Sequence, residues 1–256
     1  TSLTPFETTS SRTMAKSQLS DLRTIDLLGN DVEFGVRQSS EATKPRIDVD
    51  IHGVTVIIPN SVDVQPAEVL RENAAWVVEK QRDFERYREK IPDRTFEAGE
   101  TFPLLGTERE LVIEPARSHS ITDTSIRLRK STVEQSTVKQ VLENVYRREA
   151  RDYFTERADF YAEEMGVEYG KITIRNQRTR WGSCSTTGTI SLNWRLVMAP
   201  PEIVDYVVIH ELGHLQEANH DEVFWSLVAE YDPEYEDHVQ WLEEHSTELT
   251  FSKEDF

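Results

Sequence analysis

The sequence predicts an α+β protein, and three observations carry that prediction. Short runs of alternating apolar residues crowd its first quarter: Val32, Phe34 and Val36, then Ile47, Val49 and Ile51, then Val54, Val56 and Ile58. A period of two marks half-buried strands. Two longer stretches carry the helical period instead, one opened by Pro66 and running to about Arg88, the other from about Val133 to Met165 and closed by Gly166. Finally, the apolar segment Val204–Ile209 follows the pair Pro200-Pro201, which reads as a helix buried in the fold with proline in its first turn.

Taken in order, residues 1–20 are rich in Ser and Thr without periodicity and read as a disordered tail. The strands above follow, with His52-Gly53 as a tight surface turn. Beyond the Pro66 helix, strands are expected at Thr101–Leu105 and Arg109–Ile113 around Gly106, and near Thr124–Arg129. After the long helix come Lys171–Gln177, Thr179–Ser185 and Thr189–Trp194, the last two joined by a Thr187-Gly188 turn. The buried helix exits near Ala218-Asn219. Asp221 caps the next helix, Glu222–Tyr231, and Asp232-Pro233 opens the last, to about Glu244. We divide the chain into the tail 1–20, an N-terminal β/α domain 21–130, a second domain 131–246 and a loose acidic tail 247–256. No internal repeat and no phosphate-cradling glycine loop stands out.

Composition bounds the function. With 256 residues and 37% hydrophobic content the chain supports a real core. A net charge of −18 repels nucleic acid and anionic membranes. Most of the basic residues are Arg, and the whole suits a solvated acidic shell in high salt, where screening removes much of that meaning. The single cysteine, Cys184, excludes an intrachain disulfide and a cysteine-based zinc knuckle. No apolar run approaches the roughly 20 residues of a membrane span, and a soluble cytoplasmic protein is the expectation.

The chemistry concentrates in Val207-Val208-Ile209-His210-Glu211-Leu212-Gly213-His214. Residues four apart on a helix share a face, so His210 and His214 aim their imidazoles at one point. Zn²⁺ takes such nitrogens at about 2.0–2.1 Å. Glu211 stands next to the first histidine, where a carboxylate serves as general base; this is the His-Glu-x-x-His arrangement of zinc hydrolases. His220 offers a third ligand and leaves the fourth position open. Its spacing from His214 equals that of the metzincin proteases, but Glu217 stands where they have glycine, so His220 needs a different bend. Glu217 or Glu222 is the fallback ligand. Mn²⁺, Co²⁺ and Ni²⁺ remain alternatives on affinity grounds.

Further blocks precede and follow that helix: Arg180-Trp181-Gly182-Ser183-Cys184-Ser185, Asn193-Trp194-Arg195 and Phe224-Trp225. In this order they resemble the YgjP-like metal-dependent hydrolases, which are grouped with the zincin metallopeptidases and related to SprT-like and WLM domains. The likeness spans about residues 22–245. It implies a minimal zincin-like domain, with a three-stranded sheet beside the motif helix, preceded by a β-rich N-terminal domain. It also implies an edge strand near the metal, Arg180–Ser185, that pairs with an extended peptide substrate. Arg180, Asn193 and Arg195 become candidate substrate-binding residues. Because the family is also described as a UTP pyrophosphatase, a nucleotide substrate held by Arg178, Arg180 and Arg195 is the alternative to a peptide. A non-enzymatic binding module with a closed zinc site is the third reading. Oligomeric state is left open.

Overall fold

The computed structural model of the chain describes residues 20–40, 42–50, 53–177 and 180–252. Residues 1–19 of the predicted N-terminal tail, the predicted strand residue Ile51, the turn residue His52 and Arg178 lie outside the described residues. The chain divides into two compact units, one up to Ile91 and one from Pro92 onwards.

In the first unit, β1 (Ser20–Leu27), β2 (Asn30–Ser39), β3 (Arg46–Asp50) and β4 (Gly53–Pro59) form one sheet in the order β1-β2-β4-β3. The β1/β2 and β3/β4 pairs are antiparallel and β2/β4 is parallel. Of the alternating residues, Val32, Phe34, Val49, Val54, Val56 and Ile58 are buried, while Val36 and Ile47 are partly exposed. Two helices follow, α1 (Pro66–Glu72) and α2 (Ala74–Lys90), where the periodicity predicts one. The break is at Asn73, whose side-chain amide donates to the Val69 carbonyl at 2.9 Å and so competes with the helical ladder.

The second unit opens with the same design. Strands β5 (Thr101–Leu104), β6 (Thr107–Glu114), β7 (Ser120–Ile121) and β8 (Ser125–Arg129) lie in the order β5-β6-β8-β7. Two antiparallel pairs again flank a central parallel one. A short and a longer helix again follow, α3 (Lys130–Val133) and α4 (Val138–Met165). Each first hairpin turns at Leu-Leu-Gly, residues 27–29 and 104–106, with positive φ at the second Leu and the Gly. The chain therefore contains an internal structural repeat that its sequence reading lacks. Only three residues of the turn are identical, and strands preserve a pattern of burial rather than residues.

The same finding moves the domain boundary. Phe102, Leu104, Leu111, Ile126 and Leu128 share one core with α4 and with Val207 and Ile209 of the motif helix, so the break falls after Ile91 and not near residue 130. Strand periodicity tells which face is buried, not which core receives it. Nor are all the residues after 246 loose. Leu249 and Phe251 are buried, and Phe251 packs its ring edge-on against Phe102, Tyr146 and Trp194.

A third sheet completes the scaffold: β9 (Lys171–Arg175), β10 (Gly182–Cys184) and β11 (Thr189–Asn193), in the order β10-β11-β9. β11 runs parallel to β9 and antiparallel to β10, leaving β10 at an edge. A 3-10 turn, Trp194–Met198, leads into α5 (Pro201–Gly213), followed by α6 (Glu222–Tyr231) and α7 (Tyr235–His245). The Leu105 and Gly106 N–H groups donate to the carbonyls of Val197 and Met198 at 2.8 and 3.3 Å, and Gly106 lies against Pro200. On the side of α4, Arg157 makes a two-pronged ion pair with Asp205 at 2.6 and 2.7 Å, joined by the Tyr161 hydroxyl. The start and flank of α5 are thereby fixed. Among the described residues no helix is long and apolar enough to cross a membrane.

Candidate metal centre

Helix α5 is buried from Ile203 to Gly213 except at Asp205. Its last turn carries His210 and Glu211, only 1% and 2% exposed, and His214 caps its end. The loop that follows bends back to bring His220 to the same point. Gly213 permits the bend to close, because a side chain there would meet the Phe224 ring at 3.2 Å, while that ring stacks on His214 with centroids 4.6 Å apart. Asp221 caps α6 by accepting from the Val223 and Phe224 N–H groups, which fixes the residue after His220.

One ring nitrogen from each of His210, His214 and His220 falls within 4.8 Å of the others. The Nε2 atoms of His210 and His220 are 3.0 Å apart. Burial drives His210 down to about 2 and His220 down to about 4, and it lowers His214 as well. All three are therefore neutral imidazoles with a lone pair each. His214 donates its Nδ1 proton to the Glu217 carbonyl at 3.1 Å, which leaves Nε2 as the lone-pair nitrogen. Convergent neutral nitrogens at this separation suit a shared cation, and imidazole suits a borderline-soft divalent metal.

Glu211 lies next to this cluster, against β10. Burial raises its carboxyl to about 8, against the opposing pull of the Arg180 charge and a hydrogen bond from the Cys184 backbone N–H. A buried carboxyl that titrates near neutrality beside three convergent histidines is the chemistry of a hydrolytic site.

The YgjP-like metallopeptidase-domain family matches residues 43–245 of the chain. The chain belongs to the YgjP-like family. A metal-dependent hydrolase of the metallopeptidase class follows from that membership. No curated protein matches the chain. Among solved structures, the metallopeptidase zymogen of Pyrococcus abyssi abylysin is 25% identical over 34% of this chain and 92% of its own, with a TM-score of 0.31.

In this YgjP-like protein the sequence-predicted residues fall into two groups. His210, Glu211, His214 and His220 come together, and Arg180 is near enough to act on Glu211. Asn193 and Arg195 do not line a cleft: they are 4% and 5% exposed. Asn193 accepts from the Arg195 N–H at 3.2 Å and donates to the Gln177 carbonyl at 2.6 Å, while Arg195 bonds Asn176 and lies over Trp194. Both brace the strand junction, a role that their polarity hides in a sequence. The fallback ligands Glu217 and Glu222 do not join the histidine group.

Several residues of the YgjP-like site escape sequence reasoning. His238 is mostly covered and pairs with Asp232 at 2.8 Å, and the N-cap of α7 is Glu234, not Asp232. Tyr206 is fully buried between His210 and His238. Trp225 lies 5.8 Å from His210 and 5.9 Å from His220, stacked on Tyr235. Gly182 faces Glu211. Of these, Trp225 and Gly182 stand in the blocks that carry the family resemblance without a role of their own there, and Gly182 carries a further signal, since glycine inside a strand marks close approach.

Proposed function

We propose that this YgjP-like protein is a zinc-dependent peptidase with a zincin-like catalytic domain, in which His210, His214 and His220 hold the ion and Glu211 is the general base. The observation that carries the reading is the meeting of three neutral imidazoles with a buried carboxyl one residue along the helix. No fourth His, Cys, Asp or Glu joins the group among the described residues, which favours an open catalytic site over a closed structural one. When bound, Zn²⁺ supplies Lewis acidity that acidifies water and polarises a carbonyl oxygen. Glu211 takes up the proton. Its affinity for that proton, raised by burial, is brought back towards the carboxylate form by Arg180 and by a neighbouring dication.

An extended peptide fits the outer edge of β10. The Asn193 N–H donates to the Trp181 carbonyl and the Ser185 N–H to the Thr189 carbonyl, so the intervening Gly182 and Cys184 direct their backbone groups away from β11. The Cys184 N–H goes to Glu211, which leaves the Gly182 N–H and the two carbonyls for a peptide. Burial of Arg195 removes one of the three arginines that a nucleotide reading needs. The test is peptide cleavage by zinc-loaded wild type and by Glu211→Gln at equal zinc content. Cleavage should fall by about 10²–10⁴-fold in the variant. Full activity in Glu211→Gln would remove the base assignment, and release of pyrophosphate from UTP without peptide cleavage would replace the peptidase by a phosphohydrolase.

A further inference from the structure

Among the glycines whose surroundings are described, Gly182 is the crowded one whose missing side chain is replaced by an ionisable group. Gly170 and Gly188 are hemmed in by each other's backbone and Gly213 by Phe224. A Cβ at Gly182 would lie 2.7 Å from Glu211 Cγ and 2.8 Å from Cδ, and closer still to Oε1. Its backbone does not require glycine, since its φ lies outside the left-handed region. The space beside β10 is therefore reserved for the carboxylate.

The second half of the arrangement is Cys184. Its N–H points out from the sheet, because Ser183 and not Cys184 occupies the hydrogen-bonded position opposite Ser191 between the Trp181–Asn193 and Ser185–Thr189 pairs. That N–H donates to the Glu211 carboxylate. The head of Glu211 thus fills the place of an absent side chain at 182 and hydrogen-bonds to the backbone two residues on. We propose that Gly182 is a positioning residue for Glu211: by lacking a Cβ it lets the carboxylate lie flat on the β10 edge, held by the Cys184 N–H. The consequence for catalysis rests on the peptidase reading above, but the seat itself does not.

A methyl group at 182 meets the far end of a side chain and not a wall of backbone, so Gly182→Ala should fold with Glu211 displaced. A displacement of about 1 Å in a reacting group costs on the order of 100-fold in rate. Gly182→Ala should therefore lose about that factor in kcat, with zinc affinity and KM near the wild-type values. In a Glu211→Gln background the base is already gone, so Gly182→Ala should lower kcat there far less than the roughly 100-fold expected in the wild-type background. A further loss of the same size in the Glu211→Gln background would overturn the proposal. The seat is also read without activity, by amide hydrogen exchange at Cys184 in the zinc-free protein. Exchange should quicken in Glu211→Ala and in Gly182→Ala. Unchanged exchange in both would overturn the seat even if the protein cleaves peptides, whereas quickened exchange in a protein that cleaves none would leave the seat standing and remove the peptidase reading.

Discussion

The chain builds one four-stranded sheet twice and uses the two copies differently. At Leu27-Leu28-Gly29 the turn looks inward on itself: the Gly29 N–H bonds its own neighbour Asp26, nothing stands within 4 Å of the Gly29 Cβ position, and Leu28 is 69% exposed. At Leu104-Leu105-Gly106 the same backbone spends its N–H groups on the Val197 and Met198 carbonyls and closes on Pro200, where the motif helix begins. A turn of fixed conformation is thus a free tip in one unit and a bearing for the metal-site helix in the other. Conformation came from the local residues; role came from what the rest of the chain laid against them.

Breaking the second copy should therefore reach the metal site, and breaking the first should not. The largest effect is expected at Phe251. Its ring is fully buried among Phe102, Tyr146 and Trp194, so Phe251→Ala should destabilise the second unit by about 3–5 kcal/mol. Denaturant melts followed by tryptophan emission check this, because Trp181, Trp194, Trp225 and Trp241 lie in the second unit and only Trp76 in the first. Removal of the metal should act on the same unit. Stripping Zn²⁺ held at a thousandfold excess over its dissociation constant should cost about 4 kcal/mol, measured as a chelator-induced fall in that transition. A chelator-insensitive transition would show that the three histidines hold nothing.

The turns themselves give the direct test. Alanine in the left-handed region costs about 1–2 kcal/mol at either glycine. Gly106→Ala adds a contact 3.1 Å from the Pro200 Cα, so a total of about 3 kcal/mol is expected there, with weakened zinc binding. Gly29→Ala should show the strain alone and leave zinc binding unchanged. Equal losses at both sites would mean that the bearing against Pro200 carries no load.

Much of this was legible in the residues, and the limits are physical. The His210–Glu211–His214 spacing is written on a single helix, where sequence distance fixes direction. His220 was legible as a candidate third histidine but not its path, because the bend depends on Gly213 yielding room to Phe224, a contact across eleven residues. Asn193 and Arg195 were misplaced on the substrate wall because a polar residue near a site looks the same whether it meets substrate or braces a strand. The repeated sheet was invisible for a related reason: strand order is set by pairing between segments, while sequence comparison sees only the segments.

The smallest expected effect separates the contributions to the metal-free site by pH. Glu211 holds its proton up to about pH 8 when folded, against 4.5 ordinarily. Between those values the folded state keeps a proton that the unfolded state has released, so stability falls as pH rises. The histidines act oppositely. With His210 near 2 and His220 near 4 against an ordinary 6.5, the unfolded state takes up protons that the folded state refuses, so stability is lost as pH falls below 6.5. The zinc-free second unit should therefore be most stable near pH 6.5. Glu211→Gln should abolish the loss from pH 6.5 to 8, which is roughly 1 kcal/mol per pH unit, and should keep the acid limb. If the alkaline limb survives in the variant, the carboxyl that titrates there is not Glu211, and the site's base must be sought elsewhere on the β10 edge.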